Sequence, residues 1–308
     1  MLTDKDTRNP FEIRLMNLGH CPLCREHQRQ KLFAIKGSSV FQCSVCGLRY
    51  IDPCLSPDSM KTAYESEKHL SSFHGFHEGY YEYGNLTGES KTLTDFKHAL
   101  ELLERFLPKE GSRTIFDVGF GNGFFLAVAK QRGWQVHGND SSLKNTELAH
   151  QKFGLTLSCS SFEDYENQGA RYDALSFWDV IEHLPDPHKF LKKTHEMLKP
   201  GGFLLIGIPN DRSMLSAISS LLYRTSFGRL RKGIDSTYFL EHVCYYNLKT
   251  ISDLLSRNGF VLRDYFFTST DLDKYSFSAF EKILAHSILL LGKLCGLQNR
   301  LVAIFQKG

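Results

Sequence analysis

The sequence lacks any apolar run of the roughly 20 residues that a membrane-spanning helix needs. Its most apolar stretch, ILAHSILLLGKLCGL over 283–297, is broken by His286 and Lys293. That stretch reads as a helix packed into the core, with an amphipathic membrane contact as the second reading. No leader peptide is expected either, because the start, MLTDKDTRNPFEI, is polar and charged, and a cytoplasmic location is expected. Neither sign of charge dominates. With 37 Lys and Arg against 34 Asp and Glu, the net +3 is too small to argue for a nucleic-acid partner. Internal repeats and low-complexity tracts are absent. What remains is 308 residues with 42% hydrophobic side chains, enough for one large globular domain and a small module.

Half of the eight cysteines have no pattern: Cys54, Cys159, Cys244 and Cys295 read as ordinary thiols of a reducing compartment. The other half do. Cys21 and Cys24 in CPLC, then Cys43 and Cys46 in CSVCG, give two C-x2-C pairs separated by 18 residues. This is the spacing of a tetrahedral, structural zinc site, in which two tight knuckles converge on one ion. A redox dithiol would explain one pair but not both. Residues 1–60 are therefore expected to form a zinc ribbon ending in the strand LRYID and a turn at Pro53.

Residues 116–126 read FDVGFGNGFFL, with glycines at 119, 121 and 123. The stretch before them, TIFDV, reads as a buried strand, and FFLAVAKQRGW as a helix stopping at Gly133. A P-loop would need a Lys-Ser/Thr pair where Phe124 and Phe125 stand, which argues against a triphosphate. A dinucleotide fingerprint would need glycine at 124. The next strand, WQVHGND, ends in Asp140, placed to accept from two ribose hydroxyls. Asp117 is placed to meet a cationic ammonium group or to brace the loop.

D-x-G-x-G-x-G followed by an acid at the end of the second strand resembles the class I S-adenosylmethionine-dependent methyltransferases. Phe120 departs from the small residue that many members carry there. The resemblance continues through YDALSFWDVIEHLPDPHKFLKKTHEMLKPGGFLLIGIPN (172–210), then a helix, glycine stop and strand in LKTISDLLSRNGFVLRDYFF, and a last strand in NRLVAIFQK. It implies a doubly wound α/β fold with a seven-stranded, mostly parallel sheet over 92–308. It also implies S-adenosylmethionine as cofactor, bound by Asp117, Gly119, Gly121, Gly123, Asp140, Glu163 and Asp179. Ubiquinone-pathway O-methyltransferases carry E-x-x-E-H after strand four, where it binds a divalent ion. Asp179, Glu182 and His183 match it with Asp for the first Glu, which suggests Mg²⁺ there. His183, His242 and Glu182 are the candidate catalytic residues, with His183 as proton acceptor. A hydrogen-bonding brace at a helix start is the competing reading of His183. EHVCYYN, around His242, resembles the H-x-x-x-F-S pattern of bacterial relatives.

Between these landmarks lie two segments of another kind. The run at 61–91 holds His69, His74 and His77 among aromatics and reads as a linker or lid over the cofactor site. A second metal there has no cysteine or carboxylate spacing to support it. The insertion at 211–240 should overhang the active site, where Arg224, Arg229, Arg231 and Lys232 would grip an anionic acceptor or simply face solvent. A zinc ribbon ahead of this fold also resembles sugar methyltransferases of polysaccharide clusters. The expected activity is therefore methyl transfer to a small molecule, such as a sugar nucleotide or lipid-linked precursor. An RNA base methyltransferase is the alternative, since one rRNA-modifying group begins with a similar zinc module. It would require an N/D-P-P-Y/F motif, and IPND at 208–211 is a poor substitute. A non-catalytic cofactor-binding protein is the third reading.

Overall fold

A computed structural model of the chain describes residues 14–60, 86–275 and 278–308. The histidines at 69, 74 and 77, and with them most of the expected lid, lie outside the described residues. The N-terminal part is a small antiparallel unit. Strands β2 (Arg29–Ile35), β3 (Ser38–Cys43) and β4 (Arg49–Ile51) form a meander, while β1 (Leu15–Met16) pairs with β5 (Cys54–Leu55). The β2–β3 turn needs Gly37, whose φ is 77°.

The main domain opens with α1 (Lys91–Glu104), capped by Ser90, and then β6 (Arg113–Val118) and α2 (Phe124–Gln131). Gly133, at φ 87°, ends α2 as expected. There follow β7 (Trp134–Asp140), α3 (Leu143–Phe153), β8 (Ser158–Cys159), β9 (Tyr172–Trp178) and α4 (Pro187–Met197). Proline sits at the first position of α4, where its missing N–H costs nothing. β10 (Leu198–Pro209) takes in the LKPGG turn, with a break in register between Leu198 and Phe203. The turn thus both stops the helix and starts the strand.

After β10 come α5 (Met214–Thr225), α6 (Lys232–Thr237), β11 (Cys244–Tyr245), α7 (Leu248–Ser256), β12 (Phe260–Thr268), α8 (Ala279–Leu294) and β13 (Arg300–Lys307). The large sheet runs β12-β13-β10-β9-β6-β7-β8, parallel except for β13, which is antiparallel to both neighbours. This is the expected seven-stranded, mostly parallel, doubly wound fold. Strand order reverses at β6 and β9, the position at which doubly wound sheets open a crevice at their carboxyl edge.

One face of the sheet packs against α1 and α2 through Leu100, Leu103, Phe125 and Leu126. The other packs against α4 and α7 through Leu191, Ile251 and Leu254, and its core runs without a break into Phe33, Val40, Leu48 and Tyr50 of the N-terminal unit. The two parts even share a sheet. β11 adds to β4 as a fourth strand, pairing Cys244 with Tyr50 and Tyr245 with Arg49. Arg49 also pairs with Asp211 at 3.2 Å and donates to Tyr238 Oη at 2.7 Å. Each large apolar side chain buried at this joint is worth about 1.5–3 kcal/mol. A few of them match the whole stability of a small domain.

The reading of 283–297 as a core helix is overturned. Within α8 only Gly292 is buried. A Cβ at that position would stand 2.9 Å from the Leu297 carbonyl oxygen and 3.3 Å from Met214 Cβ. The helix therefore rests on the protein along Gly292, with Ala285, Ile288 and Leu289 half-buried beside it, while Phe280, Ile283, Leu284, Leu290, Leu291 and Leu294 point away.

Candidate functional site

Gly119, Gly121 and Gly123 all have positive φ, at 66°, 57° and 78°. Each is needed for a further, separate reason. Gly123 caps α2, and a Cβ there would lie 2.8 Å from Ala149 Cβ on α3. Gly119 lies against the loop after β9, where a Cβ would stand 3.0 Å from Val180 Cγ2. Gly121 meets nothing within 4 Å. The middle glycine thus opens onto empty volume in the crevice, while its neighbours are held by packing. Phe120 is buried, pressed against Gly138 in the core, which is why a large residue is accommodated there.

Two buried acids stand under this loop. Asp140 Oδ2 accepts from Gly121 N at 2.9 Å, and Oδ1 accepts from Ser142 N at 2.9 Å and Asn145 Nδ2 at 3.2 Å. Burial raises its pKa, and these three donors oppose the rise. A carboxylate has about four acceptor positions, so the protein leaves Oδ2 room for one more donor. Asp117 accepts from Ser176 Oγ at 2.6 Å. Burial pushes its carboxyl up to about 8, and the nearby Asp140 charge adds to the shift. Its carboxyl is largely protonated at neutral pH in the absence of a cation.

The loop after β9 carries the remaining candidates. Asp179 has φ 55° and turns its carboxylate to Arg300 at 2.7 Å. Arg300 opens the antiparallel β13 opposite Pro209, so the first residue of that strand reaches the carboxyl edge. Glu182 is buried in the single turn Ile181–His183, and neither carboxylate oxygen has a partner among the described residues. Burial, with the Asp179 charge, holds its pKa well above the usual range. His183 Nδ1–H donates to the Glu241 carbonyl at 2.7 Å, which leaves Nε2 with the lone pair. His242 lies edge-on to it with ring centroids 4.6 Å apart.

The ligand atoms of Glu182, His183 and His242 fall within 4.8 Å of one another. The expected set of Asp179, Glu182 and His183 is therefore not the one that converges: Asp179 is held by Arg300, and His242 takes its place. Glu163 is exposed beyond β8, and its carbonyl accepts from Lys193 Nζ at 2.9 Å. In the insertion, Arg231 donates to the Ala34 carbonyl at 3.0 Å and Lys232 pairs with Glu281 at 3.3 Å. Arg224 and Arg229 are exposed. Arg300, Ser176 and Asn145 escaped the sequence reading. Only an antiparallel last strand would have pointed to Arg300.

Away from the crevice, the four sulfurs of Cys21, Cys24, Cys43 and Cys46 lie within 4.8 Å of one another, with Cys21–Cys46 and Cys24–Cys43 at 3.5 Å. Four sulfurs held tetrahedrally at about 2.3 Å from one ion would be ~3.8 Å apart. The knuckles close through Arg25 N to Cys21 O at 2.9 Å and Gly47 N to Cys43 O at 3.1 Å. The donor set fits zinc.

Comparison with known proteins places the crevice in context. The sequence pattern of the family described as "Methyltransferase domain" matches residues 94–265. The chain is 30% identical over 134 residues to a ubiquinone biosynthesis O-methyltransferase of Leptothrix cholodnii, covering 40% of this chain and 57% of that protein. With the protein of that description from Chelativorans sp. it shares 33% over 108 residues, covering 33% and 42%. The chain thus spans about half the length of the curated relatives it matches. A solved S-adenosylmethionine-dependent methyltransferase from Archaeoglobus fulgidus aligns with 20% identity and TM-score 0.47, over 70% of this chain and 93% of that one.

The unequal surroundings of the glycines generate a stability test. Gly121→Ala should cost about 1 kcal/mol, the strain of positive φ alone. Gly123→Ala adds a clash with Ala149 and should cost a further ~1–3 kcal/mol. Urea unfolding of the two variants measures the difference, and equal losses would refute the packing argument.

Proposed function

This chain belongs to the methyltransferase-domain family, and on that premise we propose that it transfers a methyl group from S-adenosylmethionine to a small-molecule acceptor. The observation that carries the proposal is the open volume over Gly121 beside the carboxylate of Asp140. A phosphate-free cationic nucleoside fits such a cradle. Bound there, its sulfonium supplies an already activated methyl group. The spare acceptor position on Asp140 Oδ2 would take a ribose hydroxyl. Asp117, neutral in the empty site, would ionise beside the cationic end of the ligand. Alignment of an acceptor in line with the methyl can supply about 7 kcal/mol or more.

Gly121→Val should fill the cradle and abolish binding of S-adenosylmethionine. Asp140→Ala should weaken it by about 1.5–3 kcal/mol, the worth of a hydrogen bond to a charged group. Calorimetry finding ordinary affinity in both variants would end the assignment.

For a hydroxyl acceptor the proton goes to His183 Nε2 as the new carbon–oxygen bond forms and the carbon–sulfur bond breaks. The Glu241 carbonyl supports this reading, because it holds the imidazole in the required tautomer. Burial lowers the pKa of His183 below 6.5, so the ring is neutral and basic at neutral pH. Activity should therefore persist below pH 6.5 and fall only when acid protonates the ring. The same sign governs stability. A histidine buried neutral contributes its full share above its unfolded pKa of about 6.5, and loses it as pH falls toward the lowered folded value. His183→Ala should reduce turnover by about 10²–10⁴ with cofactor affinity retained. Surviving activity with a lowered melting temperature would make His183 a brace.

Glu182, His183 and His242 would also suit a divalent ion, and two imidazoles favour a transition metal over Mg²⁺. The same Nε2 cannot bind an ion and accept a proton, so metal content separates the two roles. We further infer a structural zinc at Cys21, Cys24, Cys43 and Cys46. Purified protein should carry one zinc per chain, lost in Cys43→Ser together with the fold of the N-terminal unit. Loss of a second ion in Glu182→Gln would assign His183 to metal. Zinc-free protein prepared without chelators would refute the ribbon.

The acceptor we favour is an anionic or lipid-linked small molecule, such as a sugar nucleotide or a polysaccharide precursor. The exposed Arg224 and Arg229 support this preference.

A further inference from the structure

The outward face of α8 carries Phe280, Ile283, Leu284, Leu290, Leu291 and Leu294, all exposed. Spacings of three, four and seven place them on one stripe along the helix. Phe280 is 75% exposed and Leu294 76%. α5 packs beside α8, with Met214 against Gly292, and Lys232, just beyond α5, pairs with Glu281 near the start of α8. It adds Leu221 and Leu222, and the turn after it adds Phe227, which is 94% exposed, and Leu230. Scattered apolar residues are ordinary on a protein surface, but a helical stripe interrupted at Ser287, whose hydroxyl turns back to the Ile283 carbonyl, marks an interaction site.

The charges beside the stripe indicate what covers it. Lys282, His286 and Lys293 fall together along one edge of the same helix by their spacing. Over 214–237 and 279–294 there are six lysines and arginines against two acids, although the whole chain carries only +3; Lys282 also pairs with Asp273, just ahead of the helix, at 2.8 Å. Protein–protein interface cores are depleted of lysine. An apolar stripe with a basic edge matches an anionic bilayer surface, where the apolar side chains enter the acyl boundary and the long cations reach headgroup phosphates. Among the described residues no helix is long and apolar enough to cross a membrane, so α8 would lie along the surface.

We propose that the α5–α8 face docks this protein on an anionic lipid surface. α5 follows the carboxyl end of β10, and α8 leads to Arg300, the partner of Asp179. The face therefore adjoins the crevice, and a lipid-borne acceptor would be met at the bilayer. That last step rests on the proposed methyl transfer; the docking does not, because it is measured without turnover.

The test is sedimentation of the full chain with vesicles of phosphatidylglycerol and phosphatidylcholine, against vesicles of phosphatidylcholine alone. The protein should pellet with the anionic vesicles and be released by salt. Ile283→Ser with Leu290→Ser should weaken partition by about tenfold or more. Lys282→Gln with Lys293→Gln should weaken it by about tenfold and flatten the salt dependence. All four side chains are exposed, and unchanged S-adenosylmethionine affinity and melting temperature would verify the fold of each variant. Wild-type protein that stays in the supernatant, or partition unaltered in both double variants, overturns the proposal. So does self-association in place of vesicle binding that Ile283→Ser with Leu290→Ser abolishes, since the stripe would then belong to a second copy.

Discussion

A carboxylate taken almost wholly out of water must be hydrogen-bonded, and Asp140 meets that demand with the backbone of the glycine loop. Its bond from Gly121 N ties the loop after β6 to the tip of β7, and its bonds from Ser142 and Asn145 tie the same tip to α3. The cradle is thus formed before any ligand arrives, and little ordering remains to be done on binding. Gly119 and Gly123 hold the flanks of the same loop by close packing, which leaves Gly121 as the one position open to a ligand.

The opposite wall of the crevice depends on the sheet's one reversed strand. Because β13 runs antiparallel, Arg300 stands at the edge where the parallel strands end, and it draws Asp179 into an ion pair. Glu182 lies buried near Asp179 and two imidazoles, and neither of its carboxylate oxygens makes a hydrogen bond of good geometry among the described residues. An unsatisfied buried carboxyl is costly.

The N-terminal unit belongs to this arrangement rather than to a separate bead. Its sheet takes β11 from the segment that also carries Glu241 and His242, and Arg49 reaches Asp211 at the foot of the insertion. The sulfur cluster lies in a unit whose sheet ends in a strand that leads directly from His242. Any loosening of the knuckles would reach the crevice through two residues of β-pairing and a shared core.

Much of this was legible in sequence because it rests on local chemistry. Paired C-x2-C spacing, glycines that only positive φ requires, an acid closing each strand and alternating strand and helix periods all act over a few residues. They sufficed for the fold, for the sulfur cluster and for the glycine loop with its two acids. What needed tertiary structure was every feature made by elements distant in the chain. The pairing of Asp179 with Arg300, far along the chain, and the meeting of His242 with Glu182 and His183 are both long-range contacts. The apolar stretch at 283–297 illustrates the limit most plainly. Its composition predicts a buried helix, but composition cannot say which face touches the protein, and the contact along Gly292 turns Leu284, Leu290, Leu291 and Leu294 outward.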